Sequence, residues 1–331
     1  MTSAVSPPEV DLQPGKPPVL RASASGDAAG WVAENRDALC AMVIEHGSLL
    51  VRGLGLREAA ETEAVFRRLG KLMPERETFA PRRRYSEGVY SSSKWPPSQH
   101  MCMHHELSYA VELPRLLMFA CLVAPTAAGA TQVADSPAVL QALPAGLVER
   151  FERTGWLLIR NYNEDIGASI AEAFGADDRA AVESYCRANA IRYEWQPDGG
   201  LRTWQRRSAV VHHPTTGQRC WFNQIAFLNE WTMDPEVREY LVELYGQDGL
   251  PFNTRFGSGD PIGPEVIEVI DEVYERNTAF EPWQSGDLLL LDNVRTAHGR
   301  EHFEGPREVL VAMADAVRLA DCRPTIEASA G

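Results

Sequence analysis

Apolar residues recur along this chain at two spacings, and each spacing predicts one kind of element. Spacings of three and four residues predict helices, because such positions share one helical face. They occur in residues 26–46, 57–69, 137–153, 236–245 and 264–277. Short apolar runs bounded by glycine or polar turn residues predict buried strands. These runs occupy residues 47–53, 115–123, 128–136, 156–160, 288–291 and 308–313.

One stretch carries a hairpin signal. Residues 203–211 and 219–225 are strand-like, and Pro214-Thr215-Thr216-Gly217 between them supplies turn residues. Strands therefore come before and after several helical segments, and the chain has neither a GxGxxG motif nor a P-loop. This order favours a mainly β fold with helical additions, of the β-sandwich or jelly-roll type, over a doubly wound α/β sheet.

Composition changes along the chain and predicts how it is divided. Residues 1–18 are rich in proline and polar residues, which predicts a flexible N-terminal arm. A chain of 331 residues is long enough for one large domain or two, and we predict a single domain over residues 19–331. Within it, residues near 164–200 have helical spacing and predict a helical insert.

Charge and cysteine usage limit the class of partner. A net charge of −14 argues against a general affinity for nucleic acid or anionic membranes. No apolar run approaches the ~18 residues of a membrane span, and the first residues lack the features of a signal peptide. The 6 cysteines are scattered without a CxxC pair, as in reduced intracellular proteins. These features predict a cytoplasmic protein that acts on a small molecule and leave its oligomeric state open.

Two histidines and one glutamate carry the strongest chemical signal. His104 and Glu106 are two residues apart, so on a strand they point to one side while His105 points away. His298 follows the apolar run 288–291. Two imidazoles and one carboxylate on a single metal form the facial triad of non-haem iron oxygenases, which leaves coordination positions open. We infer that His104, Glu106 and His298 bind one iron.

A chance pairing is the alternative explanation of this motif. With 8 histidines and 46 acidic residues, a chain of 331 residues would contain about one His-x-acid pair by chance. This chain contains two, His104-x-Glu106 and His302-x-Glu304. Only the first is followed by a later histidine beyond a predicted buried strand. No histidine follows His302, and Glu304 leads into a Gly-Pro turn. Context therefore separates the two pairs, whereas the spacing alone does not.

The segment before the motif, residues 76–100, is polar and irregular. It contains three consecutive arginines, Arg82 to Arg84. A solvated surface is the interpretation we favour for them. The alternative is a loop at the mouth of a binding site, because loops carry a large share of binding residues.

In these motifs, and over residues 30–316, the chain resembles the taurine dioxygenase and clavaminate synthase-like superfamily. The first metal motif resembles residues 103–109, with Glu as in the clavaminate synthase branch. An apolar strand follows it, as in residues 114–123, and then comes a Gly-x-Thr element, here Gly129-Ala130-Thr131. The distal motif resembles residues 292–303, and the arginine that follows it in the family matches Arg307.

The resemblance implies a double-stranded β-helix (jelly-roll) core and an enzyme that uses Fe(II), 2-oxoglutarate and O2. Arg307 would pair with the far carboxylate of 2-oxoglutarate, Thr131 would add a hydroxyl donor, and Arg300 is the substitute anchor. Such enzymes hydroxylate an unactivated C–H bond through an Fe(IV)-oxo and release succinate and CO2. One departure concerns substrate: the further arginine that some relatives place four residues after the first is Val311 here.

The substrate implied by the resemblance is an amino acid or an amino-acid unit of a natural-product precursor, free or tethered to a carrier. Ser92, Gln99, His100 and Asn223 are the candidate substrate contacts. Desaturation, cyclisation or epoxidation with the same cofactors stays open, because the outcome depends on how the substrate lies. Two further alternatives are a non-catalytic jelly-roll binding protein and a zinc hydrolase that uses the same three ligands.

Overall fold

The computed structural model describes residues 10–24, 26–77, 82–93, 95–163, 166–176 and 178–330. Within them the strands are β1 Val10–Asp11, β2 Val19–Arg21, β3 Ser48–Arg52, β4 Arg84–Ser86, β5 Val89–Ser91, β6 Met101–His104, β7 Glu112–Val123, β8 Ala127–Ala128, β9 Thr131–Asp135, β10 Trp156–Tyr162, β11 Arg192–Trp195, β12 Leu201–Arg207, β13 Val210–His212, β14 Arg219–Trp221, β15 Phe252–Phe256, β16 Thr278–Ala279, β17 Leu288–Asp292, β18 Thr296–Arg300, β19 Phe303–Glu304 and β20 Glu308–Arg318.

Helices cover the outside of the large sheet and connect the strands. The α-helices are α1 Ala28–His46, α2 Ala59–Leu69, α3 Ser136–Ala142, α4 Ala145–Thr154, α5 Ile170–Phe174, α6 Arg179–Ala188, α7 Pro235–Tyr245 and α8 Pro264–Arg276, and 3-10 turns lie at Glu230–Thr232, Gln247–Gly249 and Leu319–Cys322. The chain has the jelly-roll core and the mainly β class that the sequence predicts. No helix within the described ranges combines the length and the apolar character needed to cross a bilayer.

Two sheets face each other and enclose the main core. The larger has the strand order β1-β2-β3-β17-β7-β20-β5-β4, and the smaller has the order β16-β9-β18-β6. All pairings in them are antiparallel except β2 with β3. Strand β18 lies between β9 and β6, so residues on β18 and β6 are direct neighbours across the small sheet.

The large sheet is buried on both faces, which explains the continuous apolar runs in its sequence. Alternate residues of β7, such as Phe119 and Cys121, enter the core between the sheets. The residues between them, such as Met118 and Ala120, pack beneath helices α1 and α2. A strand that is apolar on both sides must lie in the middle of a layered structure, because neither face can be left to water.

Several predicted elements differ from the observed ones. The helix predicted over residues 137–153 is two helices, because Leu143 is extended before Pro144 and a residue before proline avoids the helical region. The hairpin is confirmed with shorter strands, β13 and β14. Residues 203–207, which the prediction includes in the hairpin, instead belong to β12, which pairs with β10 and β11 in a separate sheet of order β11-β12-β10-β15.

The predicted arm and insert are only partly as expected. Residues 1–9 lie outside the described part of the chain. Residues 10–18 are attached to the sheet: β1 pairs with β2, and Lys16 forms an ion pair with Glu281 at 3.1 Å. A flexible arm is therefore wrong for these residues, because backbone pairing holds them in place. In the predicted insert, α5 and α6 are helical, but β11 adds a strand to the neighbouring sheet.

Candidate metal centre

The side chains of His104, Glu106 and His298 converge at one point of the small sheet. Their ligand atoms all lie within 4.8 Å of one another, and all three residues are buried. His104 ends β6 and is the direct cross-strand partner of His298 on β18. The two rings are 4.2 Å apart between centroids, and Nε2 of His298 lies 3.7 Å from Oε2 of Glu106. Strand pairing thus brings together His104 and His298, which lie 194 positions apart in sequence.

Hydrogen bonding and burial prepare the imidazoles for a metal. Nδ1 of His104 lies 2.9 Å from the carbonyl oxygen of Cys102. A carbonyl can only accept, so Nδ1 carries the proton and Nε2 keeps its lone pair. Burial lowers the pKa of His104 and lowers the pKa of His298 well below its ordinary value. Both rings are therefore neutral, which is the form that binds metals.

Aromatic neighbours hold both rings in place. The His104 ring stacks on Phe227 at 4.4 Å between centroids and an interplanar angle of 15°. The His298 ring contacts Phe119 at 5.2 Å. Phe119 belongs to the facing strand β7, so the core between the sheets supports the ligand set from behind. A rigid support of this kind reduces the entropy that metal binding would otherwise cost.

Glu106 reaches the cluster by a different route from the predicted one. The strand ends at His104, so Glu106 lies in the following turn, where Leu107 has a positive φ of 53°. His105 does point away, and its Nε2 lies 2.7 Å from Oγ of Ser136. The predicted alternation therefore correctly excludes His105, but strand geometry does not place Glu106.

The side chain of Asn293 holds Glu106 instead. Its Oδ1 accepts a hydrogen bond from the Glu106 amide at 2.8 Å, and its Nδ2 donates to the Glu106 carbonyl at 2.9 Å. Nδ2 also donates to the carbonyl of Pro114, at 2.9 Å. The distal sequence motif contains Asn293, but only the fold connects it with a residue 187 positions earlier.

We expect Asn293→Ala to weaken Mn(II) binding about 10- to 100-fold, because residues that orient metal ligands commonly contribute that much. The substitution leaves the three ligands in place but releases the backbone of Glu106. Electron paramagnetic resonance of free Mn(II) during titration measures the affinity. Thermal unfolding of the metal-free protein serves as the control for folding, and an unchanged affinity in a folded variant would contradict the role assigned to Asn293.

Arg82 is a residue of this centre that the sequence interpretation missed. Its Nη2 donates to both carboxylate oxygens of Glu106, at 3.2 and 3.4 Å, and its Nε lies 3.2 Å from Glu75. Only 9% of its side chain is exposed. The solvated surface that we favoured is correct for Arg83 and Arg84, which are exposed, and wrong for Arg82. No local pattern distinguishes the three arginines, because the partners of Arg82 are set by the fold.

A second arginine, Arg307, lies beside the cluster. It lines a small cavity together with the three candidate ligands, Thr131 and Val311. Its Nε donates to the carbonyl of Gly129 at 3.0 Å, and its Nη1 donates to Ser92 at 3.4 Å. Among the described residues it has no carboxylate partner. Burial, with a contribution from the nearby Arg300, lowers the pKa of Arg307 to about 10.

Arg300, the predicted substitute anchor, is engaged elsewhere. Its Nη atoms donate to the carbonyl oxygens of Trp95, Pro96 and Gln99 at 3.3, 2.7 and 3.0 Å. Its Nε donates to the carbonyl of Glu301. All three nitrogens are therefore used by the backbone. Arg300 fixes the loop of residues 95–99, and Arg307 is the arginine with donors to spare.

The candidate substrate contacts fall into three places. Ser92 lines the metal cavity beside Arg307. Gln99 and His100 line an adjacent groove of about 570 Å³. Trp95 lines both this groove and a second small cavity, which also reaches His104 and Glu106. Asn223 does not line either one: its side chain bonds the backbone of Ala209 and Ile225. In this structure its buried amide satisfies local backbone groups, which does not support the predicted contact with substrate.

The sequence matches a family model described as "Taurine catabolism dioxygenase TauD, TfdA family" over residues 12–313. The chain belongs to this dioxygenase family. The match covers both metal motifs, Arg307 and the first part of β20, so the whole candidate site lies inside it.

Individual relatives agree with this assignment. The chain is 34% identical to the dapdiamide synthesis protein DdaC of Enterobacter agglomerans over 274 residues, which are 82% of this chain and 83% of that one. It is 27% identical to a clavaminate synthase-like protein of Arabidopsis thaliana over 287 residues, 83% of each chain.

A solved structure shares the fold. The crystal structure of PvcB from Pseudomonas aeruginosa superposes with a TM-score of 0.57 at 16% identity and covers 96% of this chain and 97% of that one. At this identity the likeness concerns the fold alone, and it supports the jelly-roll assignment.

Proposed function

We propose that this protein is an Fe(II)- and 2-oxoglutarate-dependent oxygenase that hydroxylates an unactivated C–H bond of an amino acid or an amino-acid-derived natural-product precursor. The observation that carries the proposal is the position of Arg307 beside the cluster of His104, Glu106 and His298. Three candidate metal ligands and a partly buried arginine, which has no carboxylate partner among the described residues, line one cavity and fit a metal together with an anionic co-substrate.

The donor set fits Fe(II). Two neutral imidazoles and one carboxylate are the ligands of non-haem iron sites, whereas thiolates would favour zinc or clusters. All three donors come from one end of the small sheet, from β6, the turn after it and β18. His104, Glu106 and His298 would therefore hold the iron.

Arg307 fits the far carboxylate of 2-oxoglutarate. Removing a cation from water, even in part, is costly without a carboxylate partner, and an incoming carboxylate would relieve that cost through charge-assisted hydrogen bonds. Thr131, which also lines the cavity, would add a hydroxyl donor. When bound, iron, 2-oxoglutarate and O2 supply the oxidant, and succinate and CO2 are released.

The groove beyond Trp95 is where we place the approach of the substrate. It is lined by Gln99 and His100 on one side and by Tyr162 and Phe252 on the other. Nε2 of His100 lies 2.7 Å from Oε1 of Gln132, which holds His100 at the rim. The mixture of aromatic and polar side chains fits a substrate that carries both apolar and polar groups.

The names of the relatives support a role in natural-product synthesis. DdaC is named for dapdiamide synthesis, and a further relative, 25% identical over 273 residues, is named as an isocyanoethenyl-indole synthase of Fischerella ambigua. We propose a substrate of amino-acid type, free or tethered to a carrier. All 6 cysteines are free, which fits the proposed cytoplasmic location.

Succinate release tests the proposal. The purified protein is incubated with Fe(II), 2-oxoglutarate, O2 and a panel of amino acids and short peptides, and succinate and products are measured by mass spectrometry. We expect succinate formation that N-oxalylglycine inhibits, with a product that has gained one oxygen atom. Loss of two hydrogen atoms would instead indicate desaturation or cyclisation. Activity with zinc and without 2-oxoglutarate would contradict the proposal.

A further inference from the structure

Arg82 has an unusual environment for an arginine next to a metal ligand. It lines both small cavities at the centre, and among the described residues its buried Nη1 has no hydrogen-bond partner. A buried donor without a partner is costly, so few occur in folded proteins. Such a donor at the wall of a binding cavity indicates that a ligand supplies the missing acceptor.

The other two nitrogens show which edge of the guanidinium is available. Nε is used by Oγ of Ser93 and by Glu75, both at 3.2 Å. Nη2 reaches Glu106 at 3.2 and 3.4 Å, which is long for a charge-assisted hydrogen bond. The edge formed by Nη1 and Nη2 is therefore the least satisfied one. This edge has the geometry that binds a carboxylate through two parallel hydrogen bonds.

The charges of the site support the same conclusion, on the basis of the function proposed above. Bound iron would take over the neutralisation of Glu106, while Arg307 and the iron together balance Glu106 and the dianion 2-oxoglutarate. Arg82 then faces only Glu75. This pair of one cation and one anion matches a substrate with a carboxylate and an ammonium group, since each group of the substrate meets its opposite charge.

We propose that Arg82 is the anchor for a carboxylate of the substrate. The inference rests on the proposed function and deepens it. It specifies a substrate that carries a carboxylate, and it names the residue, on the N-terminal side of the metal motif, that binds this group. It also explains how the site can hold an acid although Val311 stands where some relatives have a further arginine. Glu75 and Ser93 hold the guanidinium in position.

The test uses the whole protein under anaerobic conditions, loaded with Fe(II) and 2-oxoglutarate. The visible charge-transfer band of that complex shows that iron and co-substrate are bound. A shift of the band shows that a further molecule has bound beside them. The probes are acetate and L-amino acids, each amino acid paired with its carboxamide. We expect the acids to shift the band, and we expect the carboxamides to do so only at concentrations more than about 10-fold higher.

In Arg82→Gln we expect the band to form as in the wild type. The acid concentration needed to shift it should rise at least about 30-fold, as expected when one partner of a buried charge pair is lost. Arg84→Gln is the matched control, because Arg84 is exposed two residues away, and it should behave as the wild type. Arg82→Lys, which keeps the charge but not the paired donors, should fall between the two and replaces Arg82→Gln if that variant does not fold.

The outcomes separate the two proposals. A wild type that forms no band with Fe(II) and 2-oxoglutarate refutes the proposed oxygenase. A wild type that forms the band but responds to no acid, or equally to acids and carboxamides, refutes the role of Arg82 alone. The role of Arg82 is also refuted if Arg82→Gln keeps the acid-specific shift of the band. It is refuted as well if this variant forms no band at saturating iron.

Discussion

Replacing His298 with alanine is expected to abolish succinate release and to weaken Mn(II) binding more than about 100-fold. This loss exceeds the one expected when a residue that only orients a ligand, such as Asn293, is removed. His298 is the candidate ligand that the fold brings from a distant part of the chain to His104 and Glu106. Without it, two ligands remain, and the imidazole that contacts Phe119 is replaced by a void. Mn(II) titration by electron paramagnetic resonance and succinate assays measure the two effects.

The chain offers a matched control in its second His-x-acid pair. His302 is four residues from His298 and exposed, so His302→Ala should leave metal affinity and turnover within about twofold of the wild type, as for most surface substitutions. Thermal unfolding of both variants checks that folding is retained. If His298→Ala kept its Mn(II) affinity, the metal would have to lie elsewhere and the proposed function would fail.

Replacing Arg307 with glutamine is expected to raise the 2-oxoglutarate concentration for half-maximal turnover by about 100-fold. Removing one partner of a buried, hydrogen-bonded charge pair commonly has an effect of this size. The maximal rate at saturating 2-oxoglutarate should fall less, because the metal ligands are unchanged. Steady-state assays at varied 2-oxoglutarate, with Mn(II) affinity measured in parallel, distinguish loss of co-substrate binding from loss of the metal.

Arg300 and Arg318 provide the comparison for Arg307. Arg300→Gln should raise the 2-oxoglutarate requirement much less than Arg307→Gln, because its nitrogens are bound to backbone carbonyls of the loop 95–99. Its larger effect should be on thermal stability. Arg318→Gln, an exposed change at the far end of the same strand as Glu308, should alter neither. A larger effect for Arg300 than for Arg307 would reverse the assignment of the anchor.

Arg82 and Arg307 have different partners, although both are arginines beside one metal centre. Arg307 has no carboxylate partner among the described residues, whereas Arg82 forms ion pairs with Glu75 and Glu106. Arg307 suits a co-substrate that arrives as a dianion. Arg82 suits a further acid, because bound iron would take over the neutralisation of Glu106 and leave Arg82 with Glu75 alone. The two variants are therefore expected to affect different ligands: 2-oxoglutarate for Arg307 and the substrate acid for Arg82.

Sequence patterns predicted the elements whose structure depends on burial. The runs 115–123 and 288–291 became strands β7 and β17 because both faces of the large sheet are covered. The helix over residues 137–153 was predicted as one element, since its apolar spacing continues through Leu143 and Pro144. The backbone restriction at proline divides it into α3 and α4.

The sequence by itself determined the candidate metal ligands and the order along the chain of most strands. Both depend on residue type and on spacings within a few positions, which local patterns record. Only the tertiary structure decided that Asn293 holds Glu106, that Arg300 binds a loop, and that Arg82 rather than Arg84 enters the site. Each of these roles depends on partners brought together by the packing of the two sheets, and a polar side chain takes its role from the neighbours it meets there.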